Sequence, residues 1–197
     1  QGFGISASKC RIIPLSYNVN PESFGNEREP FCLHISLLCD ARKNVKRLID
    51  ASVKYNFKLV LGGILRNEQE KKLLDSWIRD KPNVTYMGYI SYDTMLDLYK
   101  RAKVFALPSI YEGVGIVALD AAVMGCDIVI TRLGGTKEYY NNMAVEVDPY
   151  SIDEIGLAVS QLMQGQTFQP DLRKYILENY SLKNISEQLE MAFSIVL

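Results

Sequence analysis

One histidine, one tryptophan, four cysteines with no CxxC pair and no surplus of either charge mark this chain of 197 residues. Each scarcity excludes something. A tetrahedral zinc site needs clustered ligands, and His34 stands alone while Cys10, Cys32, Cys39 and Cys126 are scattered, so no metal is expected. Cys32, Cys39 and Cys126 fall inside apolar stretches, as buried thiols of a reducing compartment do, and a cytoplasmic location is expected. A Ser-His-Asp triad would have to use His34, which lies mid-strand by pattern. Lys plus Arg total 22 against 23 Asp plus Glu, a formal net charge of -1. That balance argues against a general nucleic-acid binder. No apolar run approaches the roughly 20 residues that cross a bilayer, and no signal-peptide pattern is visible.

What is present is an ordinary globular composition, 48% apolar and 23% charged. One domain of this size buries about 70% of its unfolded surface. Short apolar runs alternate with helix-period segments. The strand candidates are Arg11–Leu15, Phe31–Leu38, Lys58–Leu61, Val84–Met87, Val104–Leu107, Asp127–Thr131 and Ala144–Val147. Most are apolar on consecutive positions, as parallel strands covered on both faces are. Helices are expected over Asn44–Tyr55, Glu68–Arg79, Tyr92–Ala102 and Ile116–Met124, with a last amphipathic one over Leu182–Val196. Ser151 and Glu154 form a capping box, Gly125 and Gly165 close helices, and Pro170 suits a first helical turn. The alternation predicts an α/β, Rossmann-like open parallel sheet with helices on both faces. Residues 1–10 and 18–30 read as tail or linker, so 1–30 is set apart, with a short strand near 11–15, from a domain over 31–197.

Ligands of open parallel sheets bind beyond the carboxyl ends of the strands. Three loops there hold the candidate chemistry. In Asp40-Ala41-Arg42-Lys43-Asn44, two cations oppose the positive end of a helix dipole. An anion such as a diphosphate resolves that conflict, and a solvated basic turn is the alternative. The segment from Val104 to Asp120 ends a buried strand, carries Glu112, and brackets a helix start with Gly113 and Gly115. Glycines at that place let a ligand approach backbone N–H groups. Asp120 lies one turn into an apolar helix, where it is either buried or turned to the cleft. The third loop holds Gly134 and Gly135, which either cradle a phosphate or make a turn.

The ordered series Lys43-Asn44, Asn83-Val84 through Gly88, Pro108-Ser109, Glu112-Gly113-Val114-Gly115, Asp120-Ala121 and Gly134-Gly135 with Glu138 resembles the donor-binding half of family 4 retaining glycosyltransferases. These have the two-domain GT-B fold, and the resemblance covers about residues 10 to 197. It implies a nucleotide-diphosphate-sugar donor, transfer with retention, and no metal or other cofactor. Lys43, with Arg42, would hold the diphosphate, and Tyr89 and Ile90 would frame the base. Glu112, as the catalytic carboxylate, would hold the sugar with the amides of Val114, Gly115 and Ile116. Asp120 would take the ribose hydroxyls. The sequence departs from the family in reading Ser36-Leu37-Leu38 where a Gly-Arg pair is usual, and in having Asp120, one methylene shorter than the family's glutamate. The resemblance also implies a missing N-terminal half as partner, with acceptor contacts and any membrane contact on that half. A non-catalytic nucleotide- or sugar-binding module on the same fold is the alternative. A phospho-receiver would need clustered acids after the first strand, where only Asp40 stands, and no GxGxxG follows a strand to suit a nicotinamide cofactor.

Overall fold

The computed structural model describes residues 10–25 and 27–194. The strands are β1 (Glu29–Ile35), β2 (Leu59–Gly62), β3 (Val84–Tyr86), β4 (Ala102–Leu107), β5 (Asp127–Thr131) and β6 (Val145–Val147). They form one sheet in the order β3-β2-β1-β4-β5-β6, with every pairing parallel. The helices are α1 (Val45–Lys54), α2 (Glu68–Ile78), α3 (Tyr92–Arg101), α4 (Ile116–Val123), α5 (Lys137–Tyr140), α6 (Ile152–Met163), α7 (Asp171–Asn179) and α8 (Leu182–Ser194). The expected α/β architecture is the one observed.

Both faces of the sheet are covered, which is why its strands are apolar without alternation. Phe31, Leu33, Phe105, Leu107, Ile128 and Ile130 face one core, which they share with Leu98, Leu119 and Ile176 from the helices. Their neighbours Cys32, Val104, Ala106 and Val129 face the other, with Leu48, Ile49, Leu74 and Ile155. The period of two thus survives as a division between two apolar cores rather than between core and water.

The helix boundaries follow the predicted punctuation. Ser151 Oγ accepts the Glu154 N–H at 3.1 Å, one half of a capping box. The other half is replaced, because the Glu154 carboxylate takes the Asp148 N–H at 2.9 Å and pairs with Arg132. Pro170 is the N-cap of α7 rather than its first residue.

Two expectations for the N-terminal segment change. Arg11–Leu15 is not a strand: β3 and β6 are the edges of the sheet, and the Leu15 N–H goes to the Tyr139 hydroxyl at 2.9 Å instead of to a ladder. Nor is 18–30 a free linker, since Val19 is buried in the core and Pro21–Ser23 forms a 3-10 turn. Strand β1 itself begins at Glu29, inside the stretch read as linker. Residues 1–9 of the expected tail, and Val196 at the end of the expected last helix, lie outside the described residues.

Arg28 fastens this segment to the domain. Its guanidinium donates to the carbonyls of Tyr99 (2.8 Å) and Lys100 at the end of α3, to Gly25 (2.8 Å) and to Met124 (2.5 Å) just after α4. Helix ends leave such carbonyls without intrahelical partners, and one planar fork serves three of them, from two helices, here. The guanidinium groups of Arg28 and Arg173 both lie against the Phe24 ring, 5.4 and 4.3 Å from its centroid. Arg28→Ala is therefore expected to destabilise the domain by about 2–4 kcal/mol, with Arg28→Lys recovering less than half of the loss. Denaturant midpoints of the three proteins check this, and a midpoint for Arg28→Ala equal to the parent's would refute it.

Candidate functional site

The strand order reverses between β1 and β4, and the loops after these two strands meet above the reversal. A crevice forms at such a point because the two loops leave in opposite directions. After β1 the chain makes a 3-10 turn over Ala41–Lys43, capped by Asp40, whose Oδ1 accepts the Arg42 N–H at 2.9 Å. Asn44 follows in the left-handed region with φ 58°. Asparagine tolerates that conformation better than most residues, and here its buried side chain is also fully used. Nδ2 donates to the carbonyls of Pro108 (2.9 Å) and Pro149 (2.7 Å), and Oδ1 accepts from Arg47 at 2.8 Å. The Ile110 N–H adds a bond to the Arg42 carbonyl at 2.7 Å. The loops after β1, β4 and β6 are thereby held together.

Lys43 is consequently aimed at the β4 loop, with Nζ 2.5 Å from Glu112 Oε1. Ser109 is fully buried and donates its hydroxyl to the same oxygen at 2.9 Å. The backbone of Glu112 is pinned from the other side, since its N–H donates to Leu133 and its carbonyl accepts from Gly135 at 3.0 Å. Gly134 has φ +112°, and a Cβ there would lie 1.8 Å from the Glu112 carbonyl oxygen. No other residue fits that turn. Gly134 and Gly135 thus make the turn that seats Glu112.

Helix α4 starts beside this pair. Gly115, at φ 71°, is its N-cap, and the Gly115 carbonyl accepts from the buried Tyr140 hydroxyl at 3.0 Å. The amides of Ile116 and Val117 open the helix, where no intrahelical acceptor exists, so they present the positive end of the helix dipole. Lys43, Glu112, Gly113, Val114, Gly115 and Ile116 surround one cleft of about 420 Å³, and Leu15 of the N-terminal segment forms part of its wall.

The remaining expected residues sit elsewhere. Arg42 is exposed and paired with Asp40 at 2.8 Å. Tyr89 is 76% exposed and lines a separate cavity of about 530 Å³ with Ile64, Leu65 and Tyr86. Ile90 turns inward and packs against Gly62 and the core. Asp120 is 5% exposed, and its Oδ1 accepts the Asn18 backbone N–H at 2.6 Å. Ser109 and the Asn18 amide are additions to the set expected from the sequence. Only a buried serine three residues before a carboxylate hints at the first, and nothing in the sequence hints at the second.

His34 lies at the buried floor of β1. Its Nδ1–H donates to the Ala106 carbonyl at 2.7 Å, so Nε2 accepts the Ser36 hydroxyl at 2.7 Å. Burial, with a smaller push from Lys43, lowers its pKa to about 4. The ring is a neutral structural bridge, with no role for it as a triad base.

The family model "Glycosyl transferases group 1" matches residues 18–180. An uncharacterized glycosyltransferase of Methanocaldococcus jannaschii is 30% identical over 168 residues, which are 79% of this chain and 43% of that protein. The chain spans less than half the length of such curated relatives. Sucrose-phosphate synthase from Thermosynechococcus elongatus superposes with a TM-score of 0.82 at 20% identity, covering 94% of this chain and 52% of that one. A variant of TarM from S. aureus, solved in complex with fondaparinux, alpha-GlcNAc-glycerol and UDP, gives 0.71 at 21% identity, covering 85% of this chain and 36% of that one.

Burial raises the Asp120 pKa to about 6, and the Asn18 amide offsets this only in part. A carboxyl that is more basic folded than unfolded holds its proton more tightly in the native state. Its contribution to stability is therefore present at low pH and is lost as pH rises from about 4 to about 6. Above that range the charged, buried group costs about 2–3 kcal/mol. Asp120→Asn should accordingly be the more stable protein at pH 7, with the advantage gone by pH 4. His34 titrates in the opposite sense in both proteins and cancels in the difference. Chemical denaturation at pH 4, 5.5 and 7 checks this, and a difference independent of pH would contradict it.

Proposed function

The chain belongs to the glycosyl transferases group 1 family, and from that premise we propose that it is the donor-binding half of a retaining GT-B glycosyltransferase using a nucleotide-diphosphate-sugar. One observation carries the reading: the Lys43–Glu112 pair stands over the first turn of α4 at the point where the strand order reverses. A diphosphate set there meets an ammonium group and free amides together, and both favour its charge. No metal is needed in this reading, because those groups supply the positive field that a divalent ion supplies elsewhere.

The pair also implies an order of events. Without ligand, Glu112 neutralises Lys43. When a diphosphate takes the ammonium group, the Glu112 carboxylate is left with Ser109 as a donor and has lone pairs free for the hydroxyls of the sugar. One anion thus exchanges for another at Lys43 while Glu112 is turned over to the sugar. UDP, present in the related TarM structure, is a suitable probe. Acceptor contacts are assigned to chain outside these 197 residues, since the matched segment is less than half of those relatives. This chain alone is therefore expected to bind donor and to transfer no sugar. A cytoplasmic reaction, with any membrane contact made by that other part, is the setting proposed.

Titration calorimetry with UDP and with uridine tests the site. Lys43→Ala should lose about 10- to 100-fold in UDP affinity, the value of one charge-assisted bond, while uridine binding barely changes. Glu112→Gln should bind UDP at least as tightly as the parent, because Lys43 is no longer contested, and should lose the added affinity of a UDP-sugar over UDP. Equal losses of UDP and uridine on substituting Lys43 would remove the diphosphate from this cleft.

A further inference from the structure

Residues 15–21 are held along the domain by their backbone. The Leu15 N–H donates to the Tyr139 hydroxyl (2.9 Å), and the Asn18 N–H donates to Asp120 Oδ1 (2.6 Å). The Asn18 carbonyl accepts from the Tyr92 hydroxyl (3.2 Å), and the Pro21 carbonyl accepts from Arg173 (2.8 Å). The four side chains come from α5, α4, α3 and α7 in turn. Between these ties Val19 is buried in the core. A mere connector would leave such backbone groups to water; here the domain satisfies them one by one. The strap ends at the donor cleft, where Leu15 is part of the wall.

Asp120 is the buried member of this set. It lies one helical turn beyond Ile116, which borders the cleft, and is itself absent from the cleft lining. At 5% exposure it offers a ligand nothing unless the strap lifts. Its shorter side chain is committed to the Asn18 amide. We propose that Asp120 is a positioning residue that latches the 15–19 strap onto α4, and so sets the Leu15 wall of the donor cleft, instead of contacting the ribose of the nucleotide. The latch stands on the geometry alone; its effect on the cleft rests on the donor-site reading above. The strap leads directly from the segment preceding the domain to the cleft, so the site senses how that segment is seated.

Backbone amide exchange of the unliganded chain reads the latch directly. Protection of the Asn18 amide should fall about tenfold in Asp120→Ala and stay near the parent value in Asp120→Asn, whose Oδ1 still accepts the bond. Unchanged protection in Asp120→Ala overturns the latch. Should Asp120→Ala fail to fold, the decisive pair is UDP against 2′-deoxy-UDP on the parent and on Asp120→Asn. The latch requires the 2′-hydroxyl to matter equally in both, and a 2′-hydroxyl effect lost in Asp120→Asn returns the residue to the ribose and overturns the proposal. Tyr139→Phe, which removes only the hydroxyl holding Leu15, should expose the Leu15 amide and weaken UDP binding two- to tenfold. UDP affinity unmoved by a loosened Leu15 would overturn the part of the proposal that concerns the wall. If the parent binds no UDP, the donor reading fails and the exchange measurement still decides the latch.

Discussion

The carboxamide of Asn44 is the constraint on which the site depends. Three loops converge at the carboxyl end of the sheet, and each brings carbonyl groups that helices and strands do not use. Both hydrogens on Nδ2 are committed, one to the loop after β4 and one to the loop after β6, from a residue that itself ends the loop after β1. Its left-handed backbone turns the chain into α1 and leaves Lys43 facing the β4 loop. A hydrophobic residue here would strand two buried carbonyls, and an aspartate would set an oxygen against them. The 2.5 Å approach of Lys43 to Glu112 follows from how those loops are held rather than from attraction between the charges alone.

That ion pair is better understood as a poised arrangement than as a source of stability. Both partners are largely buried, at 22% and 12% side-chain exposure, so each has given up much of its hydration. The Coulombic gain in such a pair roughly offsets that loss. A diphosphate offered to Lys43 therefore need not overcome a deep well. Ser109 holds Glu112 by a second bond, independent of Lys43, and in the proposed donor complex that bond keeps the carboxylate in place. The buried, neutral His34 below adds no competing charge.

The fold was legible because its signals are local. Consecutive apolar residues bounded by Gly, Asn and Asp read as buried strands, and Asp127–Thr131 agrees with β5 residue for residue. Of the cleft residues, Lys43, Glu112, Gly113 and Gly115 were legible because loops after parallel strands are few and their spacing is short, whereas Val114 and Ile116 entered through the family resemblance. What escaped was long-range and carried by backbone atoms. The Asn18 amide meets a carboxylate 102 residues away, and Leu15 meets a hydroxyl 124 residues away. An amide N–H is the same in every residue, so no side-chain pattern announces such a bond. Residues 18–30 looked polar and turn-rich for the same reason: among the described residues there, Val19 is buried in the core and Phe24 lies against the guanidinium groups of Arg28 and Arg173, while the domain supplies the polar partners.

The alternative fates of Asp120 at the sequence level, buried or turned to a ligand, were set apart by one methylene group and one neighbouring segment. A glutamate at this position would reach farther along α4 toward the cleft. The aspartate stops short and meets the strap, and the bond it forms cannot fully replace the water it loses, as its raised pKa records. A carboxyl group whose pKa burial has raised works against stability at neutral pH, so what the position contributes to the structure is the tie to the strap. A neutral acceptor of the same shape would tie Asn18 with less penalty. What the tie itself requires is an acceptor oxygen at the reach of this side chain, set against a strap that carries part of the cleft wall.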